Sequence, residues 1–324
     1  MNLVKSCRIH CISETLSPLT HMMGTAGNEA IINREQVYSR GKVRDVPVLS
    51  GNAIRHRMIR EPGALYLAKA CDLMGKITVD QANYLLYGGS LTDSSTTENL
   101  ARIAEMQELL PLIRLLGGSL RNQVIGGSLF VLRGILVCEE NREQITKQLP
   151  EGIALPSEAL RSAEDFVAQY QYTRGDARRR HDSPQIIELP ESSVEDKTNL
   201  MIYTGQKVIP GALWYHGFVL QNISPLEIGA LLHAMQQWES LGATIGGQAR
   251  IGHGQLKMSV FFEDGEDYFG SELDPAKLVI DYVHHVEERK AKIVAWLDFV
   301  FPRKGRGAKL DDELAGLAIE QGKT

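Results

Sequence analysis

The chain has 324 residues, of which 43% are hydrophobic and 23% charged, the composition of a globular protein with one large or two medium domains. It lacks an apolar run of about 18 residues, Met1-Asn2-Leu3-Val4-Lys5 reads as no apolar leader, and it holds four cysteines, so neither a membrane span, secretion nor a disulfide scaffold is expected and a cytoplasmic protein is. The net charge of −5 hides a separation: residues 1–60 carry nine basic and four acidic side chains, whereas residues 261–288 carry one and nine, a pattern that fits a local polyanion groove or an acidic-to-basic contact between subunits.

Lys5 to Ile12 alternates Cys7, Ile9 and Cys11 with Ser6, Arg8 and His10, which predicts a half-buried strand. In a strand His10 points away from both cysteines, so no metal site is expected there. Ser17 to Asp45 is interrupted by Gly24, Gly27, Asn28, Asn33 and Gly41 and reads as a long functional loop, in which His21-Met22-Met23-Gly24 can touch a ligand or pack on the core. From Pro47, Ser50 or Asn52 caps a helix whose first turns hold Arg55, His56 and Arg57. The helix dipole disfavours cations at that end, unless an anion such as phosphate sits there.

Residues 95–116 read as a helix with a capping box at Ser95 and Glu98, an apolar stripe of Leu100, Ile103, Met106 and Leu110, a break at Pro111 and an end at Gly117-Gly118. Ser128 to Cys138 reads as a strand and 157–170 as a short helix. Tyr170 to His181 then combines two tyrosines with Arg174, Arg178, Arg179 and Arg180, suited to phosphates and stacked bases. With little apolar periodicity before Val208, residues 172–207 are expected to form a protruding loop or hairpin arm.

Leu213, Tyr215, Gly217 and Val219 alternate as a strand. Ser224-Pro225-Leu226-Glu227 is a capping box, Ile228, Leu231, Leu232, Met235 and Trp238 share one helical face, and Gly242 stands at the expected end. Next comes Gly246-Gly247-Gln248-Ala249-Arg250-Ile251-Gly252-His253-Gly254, with four glycines in nine residues. Such a loop reads either as a hairpin connection or as an amide nest for phosphate, with Arg250 and His253 as added donors. A strand over Gln255–Phe262, a helix from Asp274-Pro275 and a basic tail after Pro302 complete the chain. This order predicts an α+β fold with a ferredoxin-like, RRM-like βαββαβ core carrying large insertions.

The stretch Pro47-x-Leu49-Ser50-Gly51-Asn52-x-Ile54-Arg55, the glycine loop 246–254 and the turn Val208 to Trp214 together resemble the RAMP superfamily of CRISPR-associated proteins. The likeness is to its Cas-seven backbone subunit, in the type IV effector version, and covers most of residues 1–262. The resemblance implies an RRM-like palm over 1–171 and 208–300 with a helical insertion near 52–125. It further implies a long thumb hairpin over 172–207 and a flexible tail over 301–324. It implies a non-catalytic subunit that oligomerises on a guide RNA (crRNA) with copies of itself and other effector subunits. The guide would present bases to a target, DNA if the type IV likeness holds, with no cofactor and no membrane.

Carried onto this sequence, the implied RNA contacts are Ser50, Gly51, Asn52, Arg55, Arg57, Arg174, Arg178, Arg179, Arg180, Gly246, Gly247, Gln248, Arg250, His253 and Gly254, with His21, Met23 and Arg8 as further candidates. Relatives that cut target RNA use an aspartate between the first strand and first helix, where this sequence has Asn33, Arg34 and Glu35, with Asp45 nearer the helix. Two other readings are an endoribonuclease of the same superfamily, using His21, His56 or His253 as general acid or base, and a metabolic enzyme holding a phosphorylated small molecule at the glycine loop.

Overall fold

The computed structural model describes residues 4–27, 29–91, 100–120, 123–157, 160–174, 201–263 and 274–302. A first strand β1 (Val4–Thr15) is followed by two hairpins, β2 (Met22–Ala26) with β3 (Glu29–Ile32) and β4 (Arg34–Ser39) with β5 (Lys42–Leu49). A continuous helical stretch follows: α1 (Gly51–Ile54), a π-helical segment (Arg55–Arg60) and α2 (Glu61–Ala70). Helices α3 (Val79–Tyr87), α4 (Leu100–Leu109) and α5 (Pro111–Leu116) and the small hairpin β6 (Gly118–Leu120) with β7 (Gln123–Ile125) complete the helical insertion. Then come β8 (Leu129–Leu136), α6 (Arg142–Thr146), β9 (Val167–Arg174), β10 (Met201–Val208), β11 (Leu213–Ile223), α7 (Pro225–Ser240), β12 (Leu256–Phe262) and α8 (Pro275–Val300).

The main sheet runs β12-β1-β11-β8-β5-β4. The four strands β12-β1-β11-β8 are antiparallel, and with the helices after β5 and after β11 they form the expected βαββαβ core, to which β5 and β4 add an edge. Cys7, Ile9 and Cys11 of β1, Phe218 and Leu220 of β11, and Ile228, Leu231 and Met235 of α7 meet in one buried core with the first helical stretch. Local chemistry starts the helices where the sequence puts it. Ser224 and Glu227 form a capping box, Asp274 accepts the Ala276 amide, and Pro111 opens α5. Among the described residues no helix is long and apolar enough to cross a membrane.

Three expectations change. From Met22 on, the described part of the stretch 17–45 is mostly strand rather than loop: Gly24 lies within β2, Asn33 joins β3 to β4, and Arg40 and Gly41 take φ of 51° and 80° between the paired Ser39 and Lys42, as a two-residue hairpin demands. The helix expected over 157–170 is a 3₁₀ turn at Ala163–Phe166 followed by β9, because Val167–Arg174 pairs with Met201–Val208. Third, β1 is not wet on its second face. His10 is buried, its Nε2–H donating to Glu263 (3.3 Å) and its Nδ1 accepting from Tyr215 (2.9 Å), because Tyr215 belongs to a small second core with Ile145, Leu149 and Leu155. Within the helical insertion Met106 and Leu110 are buried as expected, whereas Leu100 is exposed. The Ser95–Glu98 capping box lies outside the described residues.

Buried histidines couple this fold to pH. His216, in the core 2.8 Å from Ser13 Oγ, is pushed down from 6.5 to about 4 by burial. Between those values the unfolded chain binds the proton and the folded one does not, so stability is full above about 6.5 and falls as pH drops through 4. This one group should withdraw roughly 3 kcal/mol at the acid end. The measurement is denaturant unfolding of parent and His216→Gln at pH 7 and pH 4.5; equal losses in both would remove His216 from the acid response.

Candidate nucleic-acid interface

The glycine loop is latched to the chain segment after β1. Gly247 N–H donates to Thr20 O (2.7 Å), Thr20 Oγ1–H donates to Gly247 O (2.9 Å), and Gly254 N–H donates to Pro18 O (2.8 Å). Gly254, at φ 84°, lies against the Ile245 carbonyl so closely that a Cβ would overlap it, and a Cβ on Gly246 would stand 2.5 Å from Thr20 O. Glycine is therefore required by both backbone angle and space. The expected amide nest is correspondingly narrower, since the amides of Gly247, Ile251, Gly252, His253 and Gly254 all donate inside the protein. What the loop presents is side chains. Arg250 is exposed at its tip with no carboxylate partner among the described residues, and Gln248 Nε2 donates to the Tyr170 hydroxyl of β9 (2.7 Å). The His253 ring packs edge-on to Tyr170 at 5.8 Å between centroids. Burial and the nearby Lys207 ammonium lower the His253 pKa, so it stays neutral.

The residue after Thr20 reaches the helix start. Ser50 N–H donates to His21 Nε2 (3.1 Å), and Ser50 Oγ accepts the Ala53 amide (3.2 Å). His21 is thereby fixed with its proton on Nδ1, and burial holds its pKa below the ordinary value. The glycine loop, Thr20, His21 and Ser50 thus form one hydrogen-bonded chain across three segments. Met23 stands exposed on β2, and the Met22 methyl comes 3.9 Å from a Cβ position on Gly247.

Behind Ser50, the π-helical turn sets Arg55 and Arg60, at i and i+5, on one side. Arg60 is buried and donates to Gly117 O (2.8 Å). Its pKa is lowered to about 10, first by burial and then by the charge of Arg55. Arg55 is half-buried, its Nε has no hydrogen-bond partner, and its own pKa is lowered by burial. Two neighbouring guanidinium groups without a carboxylate between them are costly unless an anion approaches. Arg57 differs: it pairs with Glu61 (2.6 Å), an exposed i,i+4 pair of little net strength. His56 stacks on Tyr87 at 5.6 Å between centroids.

A second sheet runs β2-β3-β10-β9, in which β9 and β10 pair from Val167 and Val208 to Arg174 and Met201, while most of the expected arm over 172–207 lies outside the described residues. Arg174 ends β9; Arg178, Arg179 and Arg180 lie outside the described residues, as does the tail from 303. Arg8 is not at this site. It sits seven residues up β1 from Thr15, with Nε 3.9 Å from Glu263. The structure adds Thr20 and Lys207, which no motif marks: Thr20 holds the loop through its carbonyl and its hydroxyl, and Lys207 lies near His253. Tyr170, which the sequence marks with the arginine-rich stretch, meets the loop from 78 residues away.

No protein-family model matches the chain, and no curated protein matches it. Among solved structures, a chain of the "Type IV-B CRISPR Complex" superposes with a TM-score of 0.55, covering 83% of this chain and 95% of that one at 17% sequence identity. The likeness shows a common α+β fold.

Proposed function

We propose that this protein is a non-catalytic guide-RNA-binding backbone subunit of a multisubunit CRISPR effector complex, most like the type IV version. Copies of it would line the guide with other effector subunits and present it for pairing with a DNA target. The observation that carries this reading is the joining of the glycine loop to the helix start through Thr20, His21 and Ser50, beside two arginines without carboxylate partners among the described residues. A phosphate strand held by Arg250 and Arg55 keeps its bases free, so any guide sequence can be carried and base pairing does the reading. The arm over 172–207, with Arg174, Arg178, Arg179 and Arg180, would serve as the thumb.

The chemistry favours holding over cutting. His21 has its Nε2 occupied by the Ser50 amide, and His56 is stacked on Tyr87, so neither is poised as a general acid beside a phosphate. A metabolic enzyme would instead purify without RNA. The test is the absorbance ratio at 260 and 280 nm of the purified protein, followed by sequencing of any bound strand. RNA of one guide-like length on several copies is expected; protein-only absorbance would sink the reading.

A further inference from the structure

Beside the helix start, β5 leaves the edge of β8. It pairs only with Ile135 and Gly134, so the outer edge of Leu129–Leu132 has no strand neighbour among the described residues. In its place α1 closes in, and a Cβ on Gly51 would lie 3.0 Å from Val131 O. The result is a cleft of about 490 Å³ between helix start and strand edge, lined by Asn52, Arg55, Leu116, Gly127 and Phe130 among others. Its volume falls in the ~300–1,000 Å³ range of small-ligand sites. Three of its features lack a structural purpose. Phe130 is 52% exposed, an aromatic ring left in water. Arg55 keeps a buried Nε without an acceptor. Asn52 is exposed one residue inside the helix, offering both a donor and an acceptor.

Resting on the function proposed above, we infer that this cleft takes one unstacked nucleobase of the bound RNA, its ring against Phe130 and its phosphate against Arg55. A flat apolar ring beside an unpaired guanidinium is the pairing that single-strand sites use: the ring stacks a base of any identity while the cation holds the backbone. The free edge of β8 and the Asn52 amide supply groups for the base's polar edge. The competing account is a solvated crevice in which Phe130 only covers its cross-strand neighbour Val219.

The two accounts separate on two RNA probes, an oligouridine 12-mer and an abasic ribose-phosphate strand of the same length. The proteins are the full chain, Phe130→Leu, which keeps an apolar side chain in the strand, and Phe130→Trp. The parent should prefer the base-bearing strand. Phe130→Leu should reduce that preference about tenfold with an unchanged salt slope and unchanged melting temperature, and Phe130→Trp should restore it. If the parent binds the base-bearing strand and Phe130→Leu matches it on both probes, the base site is overturned while the subunit's RNA binding stands. If the parent binds neither probe, the function itself falls and the base site with it.

Discussion

Gly254→Ala should cost roughly 3 kcal/mol of stability, against about 1 kcal/mol for Gly252→Ala two residues earlier. Both glycines take the left-handed conformation, at φ 84° and 86°, so both substitutions carry the same conformational penalty. They differ in what surrounds them. A Cβ at Gly252 meets nothing within 4 Å, whereas one at Gly254 overlaps the Ile245 carbonyl, which itself accepts no slack because the Ile245 amide donates back to Gly254 O (2.9 Å). The alanine at 254 must therefore push the loop off the Pro18–Thr20 segment. The function should follow the fold here: Gly254→Ala loses RNA affinity as well as melting temperature, and Gly252→Ala keeps most of both. Thermal melts and RNA titrations of the two variants decide it. Equal stability losses would mean that backbone strain alone, and not the close approach, selects glycine at 254.

The elements that were readable in advance are those written in local chemistry. Ser50, Ser224 with Glu227, and Asp274 announce their helices because a cap is a bond between a side chain and an amide two or three residues on. The βαββαβ order followed from such starts and from alternation along β1, β8 and β11. What could not be read depends on distant partners. The turn at Arg40-Gly41 looked like an interruption because its positive φ values become visible only once Ser39 and Lys42 pair. His10 looked exposed because the residues that bury Tyr215 beside it, Ile145, Leu149 and Leu155, come from the segment between β8 and β9, more than a hundred positions away. The same division runs through the site. The glycine loop and the Ser50 motif stood out by composition, yet the bond that joins them, Ser50 N–H to His21, crosses 29 residues. Nor does any residue pattern declare the π-helical turn that brings Arg55 beside Arg60.

That turn sets up an opposition between stability and binding. Arg55 has a buried Nε without an acceptor, and its charge lowers the pKa of Arg60, so in the free protein it contributes repulsion and an unmet desolvation cost. Under the proposed function that cost is offset when an RNA phosphate reaches Arg55. Arg55→Gln should therefore leave the melting temperature unchanged or raise it. RNA affinity should fall by about tenfold or more, the loss expected for one charge-assisted contact. Arg250→Gln should be thermally neutral, since that side chain is exposed and has no carboxylate partner among the described residues. Each substitution should lower the slope of log affinity against log salt by about one, and the double variant by about two, with little dependence on RNA sequence. The measurement is a titration of the parent and three variants with one RNA at four salt concentrations, beside thermal melts. A slope that does not move in Arg55→Gln would take this guanidinium out of the phosphate contacts. A fall in its melting temperature would show that Arg55 holds the fold, and the repulsion between Arg55 and Arg60 would then no longer argue for an absent anion.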